Sequence, residues 1–295
     1  MTFLRGCRIL TGIYAVFALF FMGDPVFAQE APLPKAPVSK VFVPKFFDTA
    51  ERFERPDLST LTRLRFLTTV DFPPFNYIDR SGALSGYNID LMRAICLELQ
   101  VERLCQVEAV SWDELGSRLA QGGGEAVIAG FAPTGQNREQ FSFSRVYMRF
   151  PARFIGLQDL KPAQNFAGFA RTLKIGVVAD TTHRKMLGAY FPDFQVETFR
   201  NDGELYKALR EQTITIAFGD AMRFSQWLGS TEADRCCKFI SGAYYATDYL
   251  GEGMRIAVNG KNNMLAPALD YALQSLERKG KLAELYLRYF PIGFY

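Results

Sequence analysis

Two stretches of this chain alternate β-branched runs with apolar-periodic segments, and that alternation restricts the fold more than any composition figure. In the first stretch, Arg65–Val70 reads as a strand, Asn88–Gln100 as a helix and Cys105–Ala109 as a strand. Trp112–Gln121 follows as a helix with Ser111 as its N-cap, then the Gly122-Gly123-Gly124 turn and a buried strand at Ala126–Ala129. In the second stretch the strands are Leu173–Val178, Gln195–Phe199 and Ile214–Phe218, and the helices Thr182–Ala189, Asp202–Glu211 and Ala221–Leu228. Each set is a βαβαβ pattern, which predicts parallel pairing with right-handed crossovers. Arg153–Leu157 and Arg255–Val258 read as strands connecting the sets. Residues 263–289 read as two helices broken at Gly280. The pattern predicts two α/β lobes with a ligand crevice between them at the strand carboxyl ends.

The first strand runs toward Pro73-Pro74. Proline has no backbone N–H to give a ladder, so the strand must end there. Phe72 and Phe75 then flank a φ-locked corner, either facing the crevice or sitting in the core. A turn is expected at Asp79 to Gly82 before the first helix.

At 295 residues the chain is long enough for two lobes, and its formal net charge is only +3. With no Lys/Arg run, that balance argues against a nucleic-acid partner. The N-terminus carries a basic start, an apolar run over Ile9–Phe21 and Val26-Phe27-Ala28 before Gln29, the order of a secretory signal, assigned to residues 1–28. An uncleaved anchor is the other reading of that segment. Cys7 precedes the apolar run and is not placed as a lipoprotein cysteine. Residues 29–60 read as an extended, proline-spaced leader, with order beginning near Leu61. A periplasmic location is expected, and export makes disulfides feasible. Cys96, late in the first helix, and Cys105, in the next strand, can be brought together by the turn between them. For the adjacent Cys236 and Cys237, a vicinal bond and two thiols both stay open. They supply too few ligands for a metal site, and no cofactor is expected.

The order of these pieces resembles the bacterial extracellular solute-binding proteins of family 3, the receptors of polar amino acid ABC transporters. The pieces are VDFPPFNY at 70–77, SGYNIDLMRAI at 85–95, SWDEL at 111–115, AVIAGFAPT at 126–134, QFSFSRVY at 140–147, KIGVVADTT at 174–182, ITIAFGD at 214–220 and KLAELYLRYF at 281–290. The resemblance implies a two-lobed, type II periplasmic-binding-protein clamshell, each lobe a mostly parallel sheet flanked by helices. Lobe 1 is expected over 61–152 plus 247–295 and lobe 2 over 153–246. It further implies a monomer that closes on a small polar solute and delivers it to an inner-membrane permease, with no catalytic residues. Phe72 and Trp112 match the aromatics that flank the ligand. Gly130, Ala132 and Thr134 match the loop that meets the ligand carboxylate. Thr182 matches a helix-start hydroxyl and Asp220 the acid that pairs with the α-ammonium group. A disulfide between the first helix and second strand, found in some members, suits Cys96 and Cys105.

Each role has a physical basis. Aromatic faces offer area at little rotamer cost and attract cations. Amides at a helix start favour anions. A shielded carboxylate makes charge-assisted bonds to an ammonium. The plainer alternatives are a core Trp112, a capping Thr182 and an Asp220 that only caps the helix after it. Two departures stand out. Where the resemblance has an arginine that grips the α-carboxylate, this chain has Asn137, with Arg138 one residue later. Where it has glycine, this chain has Asp180, whose carboxylate repels an anion. The combination predicts a guest that bears an amine and is not gripped by an ordinary carboxylate fork.

His183 is the only histidine and reads as a surface residue. No Gly-x-Ser-x-Gly elbow or His-Glu-x-x-His run is present. Two other functional classes fit the pattern less fully. One is a dehydratase acting on cyclohexadienyl substrates. The other is a clamshell that partners a periplasmic oxidoreductase instead of a permease.

Overall fold

The structure is a computed structural model that describes residues 42–48, 50–260 and 264–295. The signal segment expected at 1–28, with Cys7, and the leader up to residue 41 lie outside the described residues. Two five-stranded sheets organise the rest. The first runs in the order Cys105–Ala109, Leu64–Thr68, Ala126–Val127, Ala257–Asn259, Phe141–Phe143. Its first two junctions are parallel and its last two antiparallel. The second runs Gln195–Phe199, Lys174–Val178, Ile216–Asp220, Ala152–Leu157, Cys237–Phe239, again two parallel junctions followed by two antiparallel ones.

Both sheets are therefore mixed, where mostly parallel ones were expected. The stretches read as connectors, Ala152–Leu157 and Ala257–Asn259, are interior strands of the two sheets. Each pairs antiparallel with both of its sheet neighbours.

Helices fall where the apolar periodicity puts them: Tyr87–Leu99, Thr182–Tyr190, Asp202–Arg210, Ala221–Leu228, Leu265–Arg278 and Lys281–Tyr289. Gly280, at φ 73°, breaks the last two, a conformation glycine adopts without steric cost. The segment after Ser111 starts as a 3-10 turn, Trp112–Glu114, before the Leu115–Ala120 helix. Ser111 and Glu114 cap each other reciprocally there. Among the described residues no helix is long and apolar enough to cross a membrane.

Pro73-Pro74 turns the chain between Asp71–Phe72 and Asn76–Ile78, which join Leu84–Ser85 in a small antiparallel sheet. The two phenylalanines separate. Phe75 is fully buried, whereas Phe72 is half-buried and stacks on it at 4.8 Å. A buried polar chain holds this corner. Asn76 Nδ2 donates to Thr69 Oγ1 at 2.8 Å, Asn88 Nδ2 to Asn76 Oδ1 at 2.9 Å, and the Tyr147 hydroxyl to Asn88 Oδ1 at 2.9 Å. Cys96 and Cys105 are joined at an S–S distance of 1.96 Å, and Cys236 and Cys237 at 2.16 Å.

Order does not begin near Leu61. Residues 42–48 and 50–60 contain no helix or strand, yet they are fastened to the Leu265–Arg278 helix. The Phe46 and Phe47 amides donate to the two oxygens of Glu277 at 2.6 and 3.2 Å, and Gln274 Nε2 donates to the Glu51 carbonyl at 2.9 Å. Phe47 is buried in the first core with Phe53 packed against its ring at 6.2 Å. Proline spacing correctly denies this segment a regular element. It says nothing about whether the phenylalanines between the prolines find a core. Truncating a buried phenylalanine typically costs about 3–5 kcal/mol. Phe47→Ala is therefore expected to lower the urea midpoint by an amount equivalent to about 3 kcal/mol, read by denaturation. An unchanged midpoint would show that the segment is not part of the core.

Candidate functional site

Three strands of the second sheet end on one edge, and each runs into a helix. Lys174–Val178 leads to Thr182–Tyr190, Gln195–Phe199 to Asp202–Arg210, and Ile216–Asp220 to Ala221–Leu228. Each helix is capped by its own preceding side chain. Thr181 Oγ1 accepts from the Arg184 amide at 3.1 Å, and Asn201 Oδ1 from the Glu204 amide at 3.0 Å. Asp220 Oδ1 accepts from the Met222 and Arg223 amides at 2.8 and 3.3 Å. Between these helix starts lies a hollow of about 490 Å³, whose lining includes Val177, Thr182, His183, Asp202, Phe218, Asp220 and Arg223. A second groove, of about 410 Å³, shares Asp202 and Arg223 and is bordered by Phe72 and Pro73.

The residues singled out in the sequence are distributed unevenly. Asp220 and Thr182 line the hollow. Thr182 is the first helical residue, and the capping hydroxyl belongs to Thr181. Phe72 borders the adjoining groove, with its Cε1 3.3 Å from where a Cβ on Gly130 would stand. Trp112, half exposed with its ring 6.2 Å from Phe131, lines neither space. Gly130 and Thr134 also lie outside both linings. Asp180 is exposed at φ 56°, a left-handed conformation that aspartate tolerates better than most residues.

Neither candidate for the missing arginine presents a free fork. Arg138 Nη2 donates to Glu252 Oε1 at 2.7 Å. Asn137 closes its own loop, accepting from the Thr134 amide at 2.6 Å and donating to the Ala132 carbonyl at 2.8 Å.

Sequence reasoning placed His183 on the surface. It is instead half-buried on the wall of the hollow, with its ring 6.4 Å from that of Phe218. Asp202 and Arg223, joined at 2.7 Å, were also missed. The signal for all three was positional, since each lies within the first turn of a helix that follows a strand. Burial pushes the Asp220 carboxyl above its ordinary range, opposed by the nearby His183 and the two capping amides. Burial pushes the His183 imidazole down, opposed by the Asp220 charge. The wall of the hollow therefore carries a carboxyl and an imidazole that are both drawn out of water and interact with each other.

The description bacterial extracellular solute-binding proteins, family 3, matches residues 64–292. An ABC transporter arginine-binding protein 1 of Escherichia coli is 26% identical over 235 residues, covering 79% of this chain and 93% of that protein. An arginine-binding periplasmic protein of Mannheimia haemolytica is 25% identical over 215 residues, covering 73% and 86%. The unliganded, open L-cystine solute receptor of Neisseria gonorrhoeae superposes with a TM-score of 0.67 at 18% identity, covering 78% of this chain and 92% of that one. That last likeness shows the fold.

Gly130 stands at φ 80° and Gly82 at φ 83°, but nothing lies within 4 Å of a Cβ at Gly82. An alanine in left-handed backbone costs about 1–2 kcal/mol. Both Gly130→Ala and Gly82→Ala are expected to destabilise by about that amount in urea titrations, and Gly130→Ala by more, because it also crowds Phe72. Equal losses would show that the Phe72 contact is slack.

Proposed function

The chain belongs to the bacterial extracellular solute-binding proteins of family 3, and from that premise we propose that it is a periplasmic receptor for a small amine-bearing solute, an amino acid or a derivative. It takes that solute between lobe 1 (61–152 and 247–295) and lobe 2 (153–246) and hands it to an inner-membrane ABC permease. The observation that carries this reading is Asp220. Its carboxylate sits at a strand's carboxyl end, is held by two backbone amides, and lines a hollow large enough for a small solute.

The mechanism follows from what closure does to that carboxylate. Bringing lobe 1 down over the hollow removes water, and the attraction between Asp220 and an ammonium strengthens as the local dielectric falls. Phe72 already borders the adjoining groove. The half-exposed Trp112 supplies a second apolar face, which closure covers. Gly130 and Thr134 lie on the loop that closure carries toward the guest, and Thr182 offers a hydroxyl from the opposite wall. Arg138 and Asp180 shape the charge at the rim. Curated relatives whose names include arginine binding support a cationic guest over a dehydratase substrate or an oxidoreductase partner. The reading assigns the protein no chemical step.

Isothermal titration with a panel of cationic, neutral and acidic amino acids and amines tests it. Losing a charge-assisted bond of about 1.5–3 kcal/mol weakens binding roughly 10- to 150-fold. Asp220→Asn keeps a capping oxygen and removes the charge, so it is expected to weaken cationic guests by about that factor while the protein stays folded. The sign of the pH effect follows from the raised Asp220 pKa. Binding needs the ionised form, so affinity falls on acidification, beginning at a higher pH than an ordinary carboxylate would give. That component is absent from Asp220→Asn. A guest whose affinity ignores both the substitution and the pH overturns the reading.

A further inference from the structure

The pairing of charges around the hollow is lopsided. Four of its lining residues are formally charged at neutral pH: Arg200, Asp202, Asp220 and Arg223. Arg223 is paired with Asp202 at 2.7 Å, and Arg200 with Glu204. Asp220 is the one without an ion-pair partner among the described residues. One of its oxygens takes the Met222 and Arg223 amides, and the other accepts no hydrogen bond from the described residues. On the loop that the proposed closure would bring toward the guest, Arg138 is paired with Glu252 at 2.7 Å, and Glu252 also holds Arg255 at 3.1 Å. The lining of the hollow thus offers one negative charge without an ion pair and no guanidinium without one, among the described residues.

Resting on the amine-receptor reading above, we propose that the preferred guest is a cationic amine that carries no free carboxylate, such as a decarboxylated basic amino acid. An ammonium that reaches Asp220 gains a bond nothing else in the site supplies. A carboxylate has only exchanges open to it. To pair with Arg223 or Arg138 it must displace Asp202 or Glu252, and the displaced carboxylate is left without its partner. These pairs are largely exposed and each is weak. The exchange therefore returns little, while closing the lobes still strips water from the guest's carboxylate. Amides at the start of the Thr182–Tyr190 helix favour an anion, but the Asp180 carboxylate on the turn leading into that helix offsets them. A guest without the carboxylate avoids the desolvation and keeps the Asp220 bond.

Isothermal titration with a matched pair decides it, since agmatine is arginine without its carboxylate. The expected result is that agmatine binds at least about tenfold more tightly than L-arginine, the factor that one charge-assisted bond or one unpaired buried charge commands. L-Arginine methyl ester, which keeps the α-amine and loses the negative charge, is expected to follow agmatine. Asp220→Asn is expected to weaken agmatine and the ester together, with circular dichroism confirming the fold. Arginine binding as tightly as agmatine, or more so, overturns this inference and leaves the amine-receptor reading standing. If none of the three binds at millimolar concentration, both fall.

Discussion

A short chain of buried polar groups holds the first half of the molecule in register. Thr69, Asn76, Asn88 and Tyr147 come from a strand end, a proline corner, the first helix and the segment crossing toward the second sheet. Each link is 2.8 or 2.9 Å, and Asn76, Asn88 and Tyr147 are essentially inaccessible to water. An unmet amide in that position would forfeit its hydration with nothing in return, so the network tolerates one arrangement and penalises the rest. The corner that carries Phe72 is thereby fixed relative to the crossing. The ring that borders the groove is held by polar chemistry beneath it as well as by its own stacking on Phe75.

The second half is governed by a repeated geometry. Three strands end together, and each is followed by a helix whose first residues face the same space. The helix starts supply amides, and their caps consume part of that capacity through Thr181, Asn201 and Asp220. Asp220 differs from the other two caps in being charged, so it both ends its strand's run and offers a formal negative charge to the hollow. Two residues later, Met222 packs into the hydrophobic core of the first half. One helix therefore carries the site's carboxylate at its cap and packs within a single turn into the core that underlies the first sheet.

Legibility in the sequence was uneven for reasons specific to each residue. Alternating runs announced the helices well because apolar periodicity is a local property. The same reasoning also found strands at Ala152–Leu157 and Ala257–Asn259, but not their place inside the sheets, because their pairing partners lie far away in the chain. Asp220 was readable because it stands at a strand-to-helix junction within a recognisable run. His183, Asp202 and Arg223 were not. Each is a polar residue in a helical first turn, a pattern that solvent-facing helices show equally well. Phe46 and Phe47 were hidden in a proline-spaced segment whose attachment depends on Glu277, some 230 residues later.

By itself the sequence determined the α/β class, the helices and turns, and the placement of an acid at a strand's end, because propensity, period and capping act over a few neighbours. Tertiary structure alone decided the mixed pairing of the sheets, the fastening of residues 42–48 and 50–60, and which charges around the hollow already have partners. Those outcomes depend on atoms distant in the chain coming within hydrogen-bonding reach, and no short-range pattern encodes that.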